Sequence, residues 1–170
     1  MVVIGDVFAD MISKVRGFPE TGGRTFGTSF MRNSGGTGGN IAAGLAVLGM
    51  EASIVCGLGD DENGEFLLEE LKQSGVNTEH VKVTAGLKSG AVPIMVDEDG
   101  ERVIYVLVKG SAFEAIEPED LLFLEEMNPD ALCFTGVIIG AHPVEESAIL
   151  AARRWKGRAK LYFDPNLCYP

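Results

Sequence analysis

Short apolar runs alternate with helical patterns along most of this chain, and that alternation limits the fold more than any other feature. Residues 1–5, Met-Val-Val-Ile-Gly, are apolar and largely β-branched and end at a glycine, the pattern of a buried strand. Comparable runs occur at 52–57, 80–84, 131–135 and 159–163. Helical patterns lie between them. Residues 41–49 are apolar almost all round, which predicts a buried helix with Gly49 just past its end. Residues 63–74 are amphipathic, with Phe66, Leu67, Leu68 and Leu71 inward and Gly75 as the stop. Pro118 opens a helix near 118–127 and Pro143 another to about Trp155, because proline costs little in a first helical turn. Strand and helix in alternation predict a parallel sheet covered on both faces.

Two pieces break the rhythm, 7–33 and 88–109. Residues 7–15 and 25–32 alternate polar and apolar around a loop holding Gly17, Pro19, Gly22 and Gly23. Residues 89–97 and 102–108 flank Asp97-Glu98-Asp99-Gly100, whose Asp-Gly step supplies the positive φ of a hairpin turn. Both pieces read as antiparallel strands without helices. They predict a small separate sheet over one edge of the main one.

The chain has 170 residues, enough for one domain with a sizeable core, and its 46% hydrophobic and 23% charged residues are ordinary for a globular protein. A formal net charge of -11 repels phosphate backbones and anionic bilayers, so neither nucleic acid nor membrane is an expected partner. Cys56, Cys133 and Cys168 are too few and too widely spaced for a disulfide framework or a C-x-x-C zinc site. The first two sit in apolar runs and read as buried thiols, which points to a reducing compartment. No stretch is long and apolar enough to span a bilayer, and the start lacks a signal-peptide pattern, so the cytoplasm is the expected location. His80 and His142 stand apart, with no spacing for a catalytic dyad. Asp60, Asp61 and Asn63 precede a helix and read as structural groups that favour its dipole, not as metal ligands.

The segment richest in chemistry is Gly35-Gly36-Thr37-Gly38-Gly39-Asn40. It follows a strand pattern and opens a helix. Glycines let backbone approach a ligand, and free amides at a helix start favour polar or anionic groups. The spacing is neither G-x-G-x-x-G nor a P-loop. Asn40, in the first helical turn, can donate to and accept from sugar hydroxyls. Taken alone, the run reads more readily as a tight turn with close helix packing than as a ligand loop. Asp164-Pro165-Asn166, at the carboxyl end of the last strand, is placed where α/β sheets bind ligands, yet it is also good turn chemistry.

The order of motifs resembles the ribokinase-like (PfkB) carbohydrate kinases over essentially the whole chain. Gly5-Asp6-x-x-x-Asp10 comes first, then the glycine run, then Gly57-Leu58-Gly59-Asp60-x-x-x-Gly64 and Ser74-Gly75-Val76-Asn77-Thr78. Ser89-Gly90-Ala91, Val96-Asp97-x-x-Gly100-Glu101-Arg102 and Asp164-Pro165-Asn166-Leu167 complete the series. The resemblance implies a Rossmann-like, mostly parallel α/β domain with helices on both faces and a small β lid, formed here by 7–33 and 88–109. It implies Asp10 as the carboxylate that binds sugar hydroxyls. Gly35, Gly36, Gly38, Gly39 and Asn40 become the substrate loop, and Ala112 a point where the lid rejoins the core near the substrate. Asp164 and Asn166 are placed near nucleotide phosphates and Mg²⁺. ATP, Mg²⁺ and a monovalent cation are the implied cofactors, a small sugar the substrate, and a homodimer through the lid sheet the implied assembly.

Two departures qualify that expectation. Relatives often carry Arg where this chain has Cys168, and the family's Gly-Ala-Gly-Asp motif, with its catalytic Asp, does not occur in residues 1–170. The chain therefore reads as the N-terminal part of the family fold, with its C-terminal part missing and no phosphoryl transfer of its own. The alternatives are a non-catalytic sugar-binding or regulatory domain, or a fragment of a nucleoside kinase. Among sugars, the Gly-Glu-Arg hairpin and Lys109–Ala112 resemble fructokinases and 2-keto-3-deoxygluconate kinases more than ribokinase.

Overall fold

The computed structural model describes residues 1–166. Ten strands and four α-helices follow one another among them. They are β1 (Val2–Ile4), β2 (Phe8–Val15), β3 (Gly27–Gly35), α1 (Thr37–Val47), β4 (Ser53–Val55), β5 (Gly57–Gly59) and α2 (Glu62–Gln73). Then come β6 (Lys82–Thr84), β7 (Ala91–Val96), β8 (Arg102–Ile104), α3 (Leu124–Met127), β9 (Ala131–Thr135), α4 (Val144–Trp155) and β10 (Lys160–Asp164).

The main sheet has the order β10-β9-β1-β4, and every pair in it is parallel. β1 and β9 are buried at every residue, as their continuous apolar runs require. Alternate residues feed two separate cores. Val2, Ile4, Leu132 and Phe134 pack with Trp155 and Ala148 of α4. Val3, Ile54 and Cys133 pack with Leu67 and Leu71 of α2 and Ala42 of α1. The mostly parallel sheet with helices on both faces is thus present.

Local chemistry sets the helix ends. Asp61 caps α2 by accepting from the Gly64 amide at 2.9 Å, Glu62 and Glu65 lie in its first turn, and Lys72 lies in its last. Gly75 ends it at φ 82°. Helix α1 begins at Thr37, inside the glycine run, so Asn40 falls in its first turn as expected. It is not buried all round. One face rests on the sheet through Gly38, Gly39 and Ala42, whereas Val47 and Leu48 are 78% and 80% exposed.

Other expectations are corrected. The single helix near 118–127 is a 3₁₀ turn (Pro118–Leu121) followed by the short α3. Glu117 and Asp120 close a capping box around the turn, Lys82 holds Asp120 at 2.6 Å, and Asn128 in the left-handed region ends α3. The run 52–57 belongs to two sheets. β4 stays in the main sheet, while β5 pairs with β6 in a two-stranded one.

The small separate sheet is present, with order β3-β2-β7-β8. It is mixed, not antiparallel throughout. β2–β3 and β7–β8 are antiparallel, but β2 and β7 run side by side in parallel. Both start from the same end of the molecule. β2 follows directly from the end of β1, and β7 begins beside β5, where Gly59 donates to the Ser89 hydroxyl at 3.0 Å.

Candidate functional site

The site grows from the carboxyl end of β1. Asp6 is buried, and its carboxylate collects three donors: the Thr37 amide at 2.7 Å, the Gly38 amide at 3.2 Å and the Thr135 hydroxyl at 2.8 Å. Its carbonyl accepts from the Gly39 amide at 2.9 Å. Burial pushes the Asp6 carboxyl above its ordinary pKa, while the Thr135 hydroxyl and the amides pull it back part of the way. Asp6 therefore occupies the start of α1, where a negative group is favoured by the helix dipole. The amides of Thr37, Gly38 and Gly39 are not free for a ligand anion. On this point the expectation of an open anion-accepting helix start is corrected.

The glycines make that clamp sterically feasible. Gly36 lies at φ 89°, and a side chain there would meet the Asp6 carbonyl at 2.8 Å. A Cβ on Gly38 would stand 2.8 Å from the Asp6 amide nitrogen. The run is thus a close-packed pedestal that joins β1, β9 and α1.

Asp10 lies on β2 opposite Asn33, and its carboxylate rests directly against Gly35, where any side chain would collide with it. It is half-buried and has no hydrogen-bond partner among the described residues. Burial, followed by repulsion from Asp6, pushes its carboxyl up. A half-buried carboxylate without a donor is poised to accept from ligand hydroxyls.

From the far end of the chain, Asn166 reaches the same pedestal. Its side-chain amide donates to the Thr37 hydroxyl at 2.8 Å, across 129 positions of sequence, and its backbone amide donates to Asp164 at 3.0 Å. The fold therefore assembles Asp10, Gly35, Gly36, Gly38, Gly39, Asn40, Asp164 and Asn166 around one helix start. Asn40 is exposed there. Ala112 is different: it is fully buried, its amide donates to the Lys88 carbonyl at 2.8 Å, and its carbonyl packs against Gly57. Lys109 is exposed.

Asp6 and Thr37 stand inside the quoted motifs but were given no role there, and Thr135 stands in none of them. The visible signal was a lone Asp directly after a strand, and its donors come from positions up to 129 residues away. Asp61 is structural, as expected. Burial raises its carboxyl, but the Ser89 hydroxyl and the amides of Gly64 and Ser89 outweigh that and hold it low. His80 stacks on Phe123 at 3.4 Å, and exposed His142 stands 3.7 Å from Glu146. Cys56 and Cys133 are buried free thiols, and Cys168 lies outside the described residues. No cluster of metal-ligating side chains occurs among the described residues, nor a helix long and apolar enough to cross a membrane.

Comparison with known proteins gives one consistent picture. The pfkB family carbohydrate kinase profile matches residues 1–170. Ribokinase from Mus musculus is 33% identical over 71% of this chain and 37% of its own length. The ATP-dependent ribose-1-phosphate kinase of Halopiger xanaduensis is 32% identical over 95% of this chain and 52% of its own. The crystal structure of a sugar kinase from Pyrococcus horikoshii, in complex with ATP, superposes with a TM-score of 0.83 at 25% identity, over 98% of this chain and 53% of that one. The chain spans about half the length of the relatives it matches, or less.

Proposed function

Because the chain belongs to the pfkB family of carbohydrate kinases, we propose that it is the sugar-holding part of an enzyme that moves a phosphoryl group from ATP to a hydroxyl of a sugar or sugar acid. The observation that carries this reading is Asp10, a half-buried carboxylate without a donor among the described residues, seated on the Gly35 backbone beside the glycine run. Two oxygens on one rigid strand can accept from two neighbouring hydroxyls, which selects for polyols. Asn40 would add a donor and an acceptor from the helix side. The β2-β3-β7-β8 sheet is the proposed lid, and its exposed Phe30, Ile104 and Tyr105 are the proposed dimer contact.

ATP with Mg²⁺ would supply the phosphoryl group and neutralise its charge. Within residues 1–166 the fit to these groups is partial. Asp164 offers one hard oxygen ligand of the kind Mg²⁺ takes, but the amides of α1 are held by Asp6 and form no phosphate cradle. What these residues do by themselves is bind and orient the sugar. The Gly-Glu-Arg turn favours a fructose or 2-keto-3-deoxygluconate substrate over ribose.

Calorimetry with fructose, 2-keto-3-deoxygluconate, ribose and a nucleoside, without ATP, tests the site. One of these should bind, and Asp10→Asn should weaken it at least about tenfold, roughly 1.4 kcal/mol, with the melting temperature little changed. Equal affinity in the variant would remove Asp10 from the site. A phosphorylation assay on the 170-residue chain should show no turnover; turnover would refute the sugar-holding reading.

A further inference from the structure

Asp10 has a cross-strand partner that no motif marks. β2 and β3 are antiparallel, and Asn33 lies directly opposite Asp10, on the same face of the small sheet. Side chains so placed have Cβ atoms about 5 Å apart, close enough for a carboxylate and an amide to bond each other. They do not. The Asp10 carboxylate turns toward Gly35, two residues along β3, and the Asn33 side chain makes no hydrogen bond among the described residues. Its neighbour Arg32 faces the other way and does find a partner, Asn63 at 3.2 Å. Two polar heads therefore stand side by side with a gap between them.

The surface around this pair is apolar. The next rung outward sets Ile12 opposite Met31, and the residues beside Asp10 and Ile12 on β7 are Val92 and Ile94. The rung inward sets Phe8 opposite Gly35. Asp10 and Asn33 thus form an isolated polar rung. Packing gives no reason for the amide: Asn33 is exposed, and asparagine is a poor strand former. A few placed polar groups in apolar surroundings are what a small-molecule site offers. They suit a sugar, which carries hydroxyls at its edge and C–H groups on its faces.

The two side chains offer opposite chemistry. An ionised carboxylate only accepts, whereas the amide NH₂ donates. A hydroxyl between them can satisfy both, giving its hydrogen to Asp10 and accepting from Asn33 on its oxygen. We propose that Asn33 is a specificity-determining residue, which with Asp10 grips one substrate hydroxyl from two sides and so rejects the analogue that lacks it. The proposal rests on the reading of Asp10 as the sugar-binding carboxylate.

The test is calorimetry on the 170-residue chain with fructose, 2-keto-3-deoxygluconate, ribose and adenosine, without ATP. Asn33→Leu keeps the size and removes the donor, and it should weaken whichever of these binds at least about tenfold. Asn33→Asp puts an acceptor where the donor stood and should weaken it as much. Circular dichroism and melting temperature should stay native in both, because the Asn33 side chain bonds nothing in the fold. Ser29→Ala, on the same strand and face opposite Lys14, should bind like wild type. Monodeoxy analogues of the bound compound then locate the gripped hydroxyl. At one position the loss should be at least about tenfold in wild type and at least about threefold smaller in Asn33→Leu. A deoxy penalty equal in both proteins overturns the shared grip. Asn33 variants that bind like wild type, while Asp10→Asn does not, overturn the proposal and leave the Asp10 reading standing. Loss of the native spectrum in both Asn33 variants assigns the residue to the fold and overturns the proposal too. Binding of none of the four compounds by wild type, or equal binding by Asp10→Asn, overturns both readings.

Discussion

Replacing Asp6 by Asn tests whether the start of α1 is held by a buried carboxylate. The substitution keeps size and shape and removes one acceptor. Wild-type Asp6 takes the Gly38 amide and the Thr135 hydroxyl on one oxygen and the Thr37 amide, at 2.7 Å, on the other. Asn can keep the first pair only by turning its NH₂ toward the Thr37 N–H, donor against donor. Hydrogen bonds to charged groups contribute about 1.5–3 kcal/mol each, and a neutral acceptor about 1. Losing the Thr37 bond and weakening the other two costs about 3–4 kcal/mol, and relief from burying a charge offsets part of that. The net expectation is about 2 kcal/mol of destabilisation, about 1 M in a urea midpoint with unchanged slope. Thr135→Val alone should cost about 1 kcal/mol, and the double variant should fall short of additivity by about 0.5 kcal/mol or more, because Thr135→Val removes a bond that Asp6→Asn has already weakened. A D6N protein as stable as wild type, or an additive cycle, would refute the clamp.

Further outcomes follow from the same geometry. Gly36→Ala forces a side chain into φ 89° and to within 2.8 Å of the Asp6 carbonyl, so it should cost at least about 2 kcal/mol in urea unfolding, whereas Gly44→Ala, with open space around it, should not. Asp10 has its native pKa raised above the ordinary 3.8, so in the window just above 3.8 the native state binds more protons than the unfolded one. Wild-type stability should therefore fall relative to Asp10→Asn as pH rises through that window, whereas sugar affinity should rise through it, because only the ionised carboxylate accepts from two hydroxyls. Parallel rather than opposite trends would separate Asp10 from the sugar.

Much of the fold was legible because its signals are local. The β-branched run of β1, the amphipathic period of α2, and the Asp-Gly turn between β7 and β8 each report a short-range preference, and each holds. The misses share a different origin. The chain direction that makes β2 and β7 parallel depends on where β1 and β5 release them, not on their own alternation. The 3₁₀ turn at Pro118 is held through Asp120, which Lys82 grips from 38 positions away. Helix α1 looked buried because its composition is apolar, yet which of its faces meets protein is decided by the sheet beneath it.

The candidate site divides the same way. Sequence alone determined the alternating α/β order and the small second sheet, and it marked Asp10, Gly35–Asn40 and Asp164–Asn166 as candidate site residues, since each is carried by a motif a few residues long. Tertiary structure decided what those motifs do to one another. It buried Asp6 under the start of α1 and so closed the helix amides to a ligand. It set the Asp10 carboxylate on bare glycine backbone without a donor, and hung Asn166 from Thr37 across 129 positions. A carboxylate's role depends on which donors reach it and how much water it keeps, and both are properties of the folded packing, not of its place in the chain.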